Sequence, residues 1–183
     1  LEWAEVFNAG GFHESHPYGI EAPRERWTGT AIFSRFPLRT PENWDMHGTT
    51  ATRAQMGEVW GGLWLYSVHP DPPLFLFTDH HKQWEDLIGE AEGREGRRLF
   101  AGDFNITAFN AWYHELKDTG LRACHEDRGR RRATTWPVTR SWFPPLRLDH
   151  VFYSEGVVCL SVREVRGHGT DHEMVVAEIA VVE

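Results

Sequence analysis

The stretch Gly-Asp-Phe-Asn places a carboxylate and an amide two residues apart, just where a predicted strand ends. The strand occupies residues 97–102, and Asp103 and Asn105 follow it. Side chains two positions apart on an extended chain lie on one face, so these two could address one ligand while Phe104 points into the core. The same residues can instead form a turn whose carboxylate and amide satisfy nearby backbone groups. Both interpretations stay open for this motif alone.

Other acids and histidines stand at or beside the ends of other predicted strands. They are His69, Asp149, His150, Asp171 and His172. Side chains can leave the core at strand ends, and binding sites are commonly built there. A single Asp-His pair is more often an ordinary hydrogen-bonded pair than a catalytic one. Only the meeting of several strand ends at one rim would therefore indicate a reactive site.

Helices and strands are intermingled around these residues, which favours an α+β fold or a layered β-sandwich. Apolar residues at helical spacing predict helices over residues 1–9, 79–92 and 109–116. Six apolar runs predict strands. Their sequences are TGTAIFSRFPL, GGLWLYSVHPDPP, RRLFAG, LRLDHVFYS, VVCLSVREV and EMVVAEIAVV. The last run is apolar at consecutive positions, which predicts a strand covered on both faces.

The composition is ordinary for a globular domain: 183 residues, 40% hydrophobic and 25% charged. One domain over residues 1–183 is predicted, because a chain of this size can bury a core without disulfides or metals. No apolar run approaches the roughly 20 residues that cross a bilayer. The net charge of -8 disfavours broad electrostatic binding of nucleic acid. Cys124 and Cys159 are predicted to be small core residues.

Six segments follow one another in a specific order along residues 28–182. They are TGTAIFSRFP, YSVHP, FAGDFN, TTWP, RLDHVFYS and GTDHEMVVAEI. This order resembles the endonuclease/exonuclease/phosphatase superfamily, the metal-dependent phosphoesterases that include DNase I-like nucleases, sphingomyelinases and inositol-polyphosphate phosphatases. The Gly-Asp-x-Asn motif and the Asp-His pair before an apolar strand carry most of the resemblance. It implies an α+β fold: a four-layered α/β/β/α sandwich of two mostly antiparallel sheets.

The resemblance implies hydrolysis of a phosphoester with Mg²⁺ or Mn²⁺ as the cofactor. In this chemistry a water-derived anion attacks an anionic phosphorus centre, so a cation and fixed donors must neutralise the charge that builds up. By resemblance, Asp171 would be a metal ligand. His172 would contact the phosphate or act as general base, oriented by a hydrogen bond to Asp149.

The resemblance also assigns roles to the remaining site residues. Asp103 would position or activate the attacking water. Asn105 would donate a hydrogen bond to a phosphoryl oxygen, and His69 would hold another non-bridging oxygen. On this view the acid and the amide of the Gly-Asp-x-Asn motif act together on the nucleophile and the phosphate.

Some features of the family pattern are altered or missing. The usual Ser-Asp-His appears as Thr-Asp-His, and the usual Thr-His-Leu appears as Val-His-Pro, where Pro70 removes a backbone donor beside His69. An Asn on the first strand and a metal-binding Glu on the next, both upstream of a helix like residues 1–9, are absent. We therefore expect that the domain lacks its N-terminal strands. We also expect it to bind Mg²⁺ or Mn²⁺ weakly and to turn over slowly until they are restored.

The substrate class and the surroundings of the domain stay open. The substrate would be a phosphate ester, whether a lipid head group, a small molecule or a nucleic acid, and the acidic balance slightly disfavours a non-specific nuclease. A non-catalytic binding or assembly module that retains the phosphoesterase fold is the alternative function. The basic run of residues 128–132 is either solvated or a site for a second phosphate. Trp136 and Trp142 either pack in a loop or stack on a ligand. The sequence leaves the compartment and the oligomeric state open. It is compatible with a longer parent chain that is anchored in a membrane.

Overall fold

The structure is a computed structural model that describes residues 5, 9–24, 29–73, 77–138, 142 and 144–182. Its helices are α1 (Phe12–Ser15), α2 (Phe77–Gly93), α3 (Ala111–Asp118) and α4 (Cys124–Asp127). Its strands are β1 (Tyr18–Ala22), β2 (Thr30–Ser34), β3 (Leu38–Met46), β4 (Thr49–Met56), β5 (Trp64–Val68), β6 (Arg98–Asp103), β7 (Arg122–Ala123), β8 (Asp149–Tyr153), β9 (Val157–Arg166) and β10 (Glu173–Val181). The helix predicted over residues 1–9 falls mostly outside the described residues.

Six strands form the central sheet, in the order β3-β4-β5-β6-β8-β7. β5 and β6 run parallel, and the other neighbours run antiparallel. Parallel neighbours need a crossover connection, and α2 provides it between β5 and β6. β1 with β2, and β9 with β10, form two separate antiparallel hairpins. The predicted α+β sandwich is therefore confirmed, with one large sheet and two two-stranded ones.

Two helices cover one face of the central sheet. Trp84 and Leu87 of α2 and Tyr113 of α3 pack with Phe100 and Phe152 of the sheet, and all five side chains are fully buried. Burial of one such side chain contributes about 1.5–3 kcal/mol. Both helices lie where the apolar periodicity predicts them. Among the described residues, no helix is long and apolar enough to cross a membrane.

The β9–β10 hairpin covers the opposite face of the sheet. Cys159 and Val162 of β9 pack with Val151 and Tyr153 of β8, and Cys124 joins the same cluster. Both cysteines are buried free thiols, which confirms their predicted place in the core. The prediction that β10 is covered on both faces is wrong, because each of its residues is partly or fully exposed. Only one face of the hairpin packs on the sheet.

The hairpin of β3 and β4 escaped prediction because β3 carries no apolar alternation. The strand is polar and mostly exposed through its first half. Its pairing with β4, where buried positions are frequent, makes it a strand. The pairing shifts register between Arg39 and Glu42, where Pro41 can be accommodated without a ladder hydrogen bond.

A buried neutral histidine supports the start of β8. His150 is 1% exposed and donates a hydrogen bond from Nε2 to the carbonyl oxygen of Ile106, at 2.9 Å. Its ring lies edge-on to Phe104 and Tyr113. Burial lowers the pKa of His150 to about 3, and the nearby positive charge of Arg147 acts in the same direction.

This low pKa predicts a loss of stability in acid. The folded state binds a proton at His150 less readily than the unfolded state does, so stability is fully present above pH 6.5 and falls as the pH drops from 6.5 towards 3. Between pH 7 and pH 5 this group is expected to remove about 2 kcal/mol of unfolding free energy. In the variant His150→Gln that part of the loss should disappear. Urea unfolding of both proteins at pH 7 and pH 5 measures the difference, and equal losses would show that the account of His150 is wrong.

Candidate active site

Two carboxylates face each other across neighbouring strands. Asp103 ends β6, Asp149 begins β8, and the antiparallel register pairs the two residues directly. Alternation along β6 puts Asp103 on the same side as Ala101, which is the side covered by the β9–β10 hairpin. Like charges directly opposite in a sheet destabilise it. The pair therefore requires a reason other than holding the strands together.

Gly102 precedes Asp103 because β5 approaches too closely for a side chain. Its φ is +152°, and a Cβ at this position would lie 2.0 Å from the carbonyl oxygen of Val68. Glycine thus lets the parallel strands β5 and β6 pair with Val68 beside Gly102. The same pairing brings His69, the residue after β5, next to Asp103.

Replacing Gly102 by Ala is expected to destabilise the protein by about 3 kcal/mol or more, because backbone rather than a mobile side chain must move. Gly89→Ala is the matched control, since Gly89 is an exposed residue of α2 with nothing within 4 Å of an added Cβ. That substitution should stabilise the protein by about 0.5–1 kcal/mol. Chemical denaturation of both variants measures the two changes. A Gly102→Ala protein as stable as the wild type would contradict the close approach of β5 and β6.

Asn105 and His69 flank Asp103 from the two strand ends. His69 Nε2 lies 3.7 Å from Asp103 Oδ2. Asn105 has a φ of +53°, its backbone N–H donates to Asp103 Oδ1 at 2.8 Å, and its Nδ2 donates to the carbonyl oxygen of Pro70 at 2.9 Å. Of the two interpretations left open for this motif, the turn is confirmed and the extended chain is wrong, because the Asp103 carboxylate accepts a hydrogen bond from the backbone N–H two residues on. Phe104 is fully buried, as predicted.

A buried glutamine fixes the loop that holds Asn105. Gln83 of α2 accepts a hydrogen bond from the backbone N–H of Asp71 and donates to Asp71 Oδ2, both at 2.8 Å. The loop held in this way includes Pro70, whose carbonyl oxygen binds the amide of Asn105. One amide hydrogen of Asn105 remains for a ligand. Nothing in the sequence marked Gln83, because a single Gln on an amphipathic helix is typical of the solvated face.

His172 approaches the carboxylate pair from the third element. Its Nδ1 donates to Asp149 Oδ2 at 2.8 Å, and its Nε2 lies 3.8 Å from Asp103 Oδ2. Burial alone would lower the pKa of His172. The hydrogen bond to Asp149, with the negative charges of Asp149 and Asp103, outweighs burial and raises the pKa above its ordinary value.

The ionised form of Asp103 is disfavoured by its surroundings. Its side chain is 16% exposed, and burial raises the pKa of its carboxyl group. The negative charge of Asp149 raises that pKa further, while His69 and His172 act in the opposite direction. A neighbouring negative charge disfavours ionisation of a buried carboxyl group. A cation between them would remove this repulsion.

The segment Thr-Thr-Trp-Pro joins the start of β8 to the start of β10. Thr135 Oγ1 accepts hydrogen bonds from the backbone N–H groups of Leu148 and Asp149, at 3.1 and 3.2 Å. The carbonyl oxygen of Thr135 accepts from the N–H of Glu173, at 2.8 Å. Thr135 thus fixes the backbone on which both Asp149 and His172 are mounted. In the sequence, Thr135 stood out only as part of the Thr-Thr-Trp-Pro segment, which indicated no role for its side chain.

Asp171, the predicted metal ligand, lies beside this group but not within it. Its Oδ2 accepts a hydrogen bond from Trp136 Nε1 at 2.9 Å, and the residue is exposed. Its charge nevertheless acts on His172, whose pKa it helps to raise. Trp136 therefore donates a hydrogen bond next to the site. The metal-binding role of Asp171 stays a prediction.

A cleft of about 320 Å³ opens beside Asp149 and His172. Gly102, Asp149 and His172 line it together with Thr170 and Met174. β8 and the turn before β10 supply its polar side chains, and β6 contributes Ala101 and Gly102. The cleft is large enough for a phosphate group with part of a leaving group.

Comparison with known proteins assigns the chain to a family. The sequence profile described as "Endonuclease/Exonuclease/phosphatase family" matches residues 1–172. The chain belongs to this family. A search of the curated proteins found no match.

Solved structures share the fold. The 3'-5' exonuclease NExo from Neisseria meningitidis has a TM-score of 0.72 at 18% identity and covers 88% of this chain and 79% of its own. TDP2 from D. rerio, complexed with single strand DNA product, has a TM-score of 0.77 at 15% identity, covering 97% and 82%. A mannosyl-6-phosphatase from Bacteroides thetaiotaomicron has a TM-score of 0.68 at 15% identity, covering 96% and 82%. At these identities the likeness shows the fold.

The site of this Endonuclease/Exonuclease/phosphatase family member suits a divalent cation. Asp103, Asp149 and His172 each offer a ligand atom, and these atoms lie within 4.8 Å of one another. Carboxylate oxygens are the ligands that Mg²⁺ and Mn²⁺ prefer, and imidazole is acceptable to several transition metals. Of the six residues predicted for the site, the structure thus gathers His69, Asp103, Asn105, Asp149 and His172 around one point and leaves Asp171 at its border.

Proposed function

We propose that the protein is a metal-dependent phosphoesterase that hydrolyses a phosphodiester or a phosphomonoester with water as the nucleophile. One observation carries this proposal: the carboxylates of Asp103 and Asp149 and the imidazole of His172 converge from three elements beside an open cleft. Family membership supports a phosphoesterase-type function. The metal, Mg²⁺ or Mn²⁺, would neutralise negative charge on the phosphate as the reaction proceeds.

In this proposal Asp103 positions the attacking water and accepts its proton. Its raised pKa brings the carboxyl group closer to the pH at which a base is effective. Its Oδ1 already binds the backbone of Asn105, which leaves Oδ2 to face the imidazoles of His69 and His172. The base is therefore held in one orientation before the substrate arrives.

The two imidazoles and the amide would bind the phosphoryl oxygens. His172 is held by Asp149 through Nδ1, so that Nε2 is the atom directed at the ligand, and the raised pKa favours the protonated, donating form. Asn105 offers the amide hydrogen that Pro70 does not use. His69 Nε2 lies 3.7 Å from Asp103 Oδ2. Donors fixed in advance stabilise charge that develops in the transition state.

Asp171 would join the carboxylates of Asp103 and Asp149 in the metal site of this proposal, while the protonated His172 would contact the phosphate and not the metal. It lies next to His172 in the chain and makes a side-chain hydrogen bond with Trp136. A carboxylate has two oxygens and about four lone-pair sites, so Asp171 can keep this bond and still ligate a cation. The substrate ester remains a lipid head group, a small molecule or a nucleic acid.

The alternative of a non-catalytic module explains the site less well. Facing carboxylates destabilise a sheet, and burial of Asp103 adds to that cost. A fold kept only as a binding surface would gain stability by losing them. The retained pair with a bonded imidazole is thus best accounted for by chemistry at this place.

The experiment measures hydrolysis by the full-length protein of bis-(p-nitrophenyl) phosphate, plasmid DNA and a panel of phospholipids. Each substrate is offered with Mg²⁺, with Mn²⁺ and with EDTA. Activity on at least one substrate that EDTA removes and the metal restores is the expected result. Activity on none of them, or activity that is insensitive to EDTA, would reject the proposal.

A further inference from the structure

We propose that the loop of residues 128–133, here the basic loop, binds a second phosphate group of the substrate. This inference rests on the proposed phosphoesterase function and names its substrate class: an ester that carries at least one phosphate besides the one attacked. Such substrates include a nucleic acid strand and a phosphorylated inositol, which present the same chemistry to the loop.

The basic loop runs directly into the segment that fixes the active site. Three residues after Arg132 comes Thr135, whose hydroxyl binds the backbone N–H groups of Leu148 and Asp149. Three residues span at most about 11 Å of extended chain. Arg132 is therefore joined by a short stretch of chain to the residue that binds the backbone of Asp149. In this proposal the second phosphate lies on the side of the active site from which this stretch arrives.

The backbone of the basic loop is held by a buried arginine. Arg147 is 6% exposed, and its guanidinium donates to the carbonyl oxygens of Arg130 and Arg131, at 3.1 and 3.3 Å. The N–H of Arg130 binds the carbonyl oxygen of His125 at 2.7 Å. Burying a cation is costly, and the two hydrogen bonds of Arg147 offset part of that cost, while its Nε has no hydrogen-bond partner among the described residues. A solvated surface loop needs no such support, so the loop is built to a fixed shape.

One arginine of the basic loop forms an ion pair that supports the loop, and two others are exposed to solvent. The guanidinium of Arg130 pairs with Glu164, which also binds the buried imidazole of His125. Arg131 and Arg132 are exposed, and within the described part of the chain neither forms an ion pair. They stand on a chain whose net charge is -8. The charge of Arg131 acts on Glu126, whose pKa it helps to lower, and Arg132 is the cation of the loop most available to an anion.

The shape of the loop suits a phosphate. Residues 129–133 line a concave space of about 380 Å³, separate from the cleft beside Asp149 and His172. The planar guanidinium fork matches phosphate oxygens in pairs, which favours arginine over lysine where phosphate is bound. All four basic residues of the loop are arginines. A second phosphate held here would orient the ester for attack at the first.

The test compares the double variant Arg131→Glu/Arg132→Glu with the control Lys82→Glu/Arg163→Glu. The control changes the net charge equally at exposed residues of α2 and β9. Steady-state kinetics are measured on bis-(p-nitrophenyl) phosphate, which has one phosphate, on a short single-stranded oligonucleotide and on a soluble inositol polyphosphate. For the multiply phosphorylated substrate that the wild type cleaves, KM should rise about tenfold or more in the loop variant. Its kcat, its activity on bis-(p-nitrophenyl) phosphate and all values of the control should change less than about twofold.

A binding measurement in EDTA keeps the two proposals apart, because it needs no catalysis. The dissociation constants of a labelled oligonucleotide and of inositol hexakisphosphate should rise about tenfold in the loop variant for at least one ligand, and the salt dependence should weaken. Unchanged binding and unchanged KM would overturn the subsite, whatever the activity on bis-(p-nitrophenyl) phosphate. An equal loss on every substrate would overturn it too, since that result indicates damage to the catalytic site. Absence of wild-type hydrolysis with loss of binding in the loop variant would reject the proposed function and leave the anion site standing.

Discussion

Asp103→Asn is expected to lower kcat for phosphoester hydrolysis by about a thousandfold or more. The substitution keeps the shape of the side chain and removes the base that, in our account, accepts the proton of the attacking water. General-base catalysis and electrostatic stabilisation each contribute effects of this size. The rate is measured on bis-(p-nitrophenyl) phosphate with saturating metal. Asp45→Asn, at an exposed position of β3, is the matched control and should leave kcat unchanged.

The same variant should be more stable than the wild type. Burial and the charge of Asp149 raise the pKa of Asp103, so the ionised carboxylate disfavours the folded state at neutral pH. The sign follows from linkage: a carboxyl group whose pKa is raised on folding binds its proton more tightly in the folded state, and it costs stability above that pKa. Neutral Asn removes this cost. A higher melting temperature with activity lost is the predicted combination, and a lower melting temperature with activity kept would contradict it.

Breaking the pair of Asp149 and His172 is expected to have the second largest effect. His172→Gln removes the imidazole that, in our proposal, contacts the phosphate, and Asp149→Asn removes the acceptor that orients it. Each variant should lose about a hundredfold to ten-thousandfold in kcat. Because the two residues act as one unit, the kcat of the double variant should be little lower than that of the less active single variant. His114→Gln, at an exposed position of α3, is the control for loss of an imidazole.

An NMR titration separates this interpretation from a structural one. In the wild type the bond to Asp149 and the nearby negative charges outweigh the effect of burial on the pKa of His172. Asp149→Asn removes a negative charge that raises the pKa of His172, while the lowering effect of burial remains, so this pKa should fall. Losses of kcat that multiply in the double variant, or a pKa that stays where it was, would show that the two residues do not work together.

Much of the site was predictable because strand ends carry it. Asp103, Asp149 and His172 stand at the limits of apolar runs, and apolar runs are the part of a sequence that periodicity shows best. The meeting of these residues depends on register: Asp103 opposite Asp149, and Val68 beside Gly102. Register follows from pairing between segments far apart in the chain, which the local pattern does not contain.

The remainder was unpredictable for related physical reasons. The sequence allowed both a turn and an extended chain at Asn105, and the hydrogen bond from its backbone N–H to Asp103 decides for the turn. Gln83 acts through a loop brought near by α2, and Thr135 through the backbone of β8. A polar strand such as β3 is recognised only by its partner. Each case is decided by tertiary contact rather than by the residue's own preference.

Binding of Mn²⁺ to the full-length protein, followed by electron paramagnetic resonance, tests the central claim most directly. The wild type is expected to bind Mn²⁺ in competition with Mg²⁺, and Asp103→Asn and Asp149→Asn should each weaken that binding about tenfold or more. Asp45→Asn should bind as the wild type does. If all four proteins bind Mn²⁺ equally, the carboxylate pair is not a metal site and the account fails.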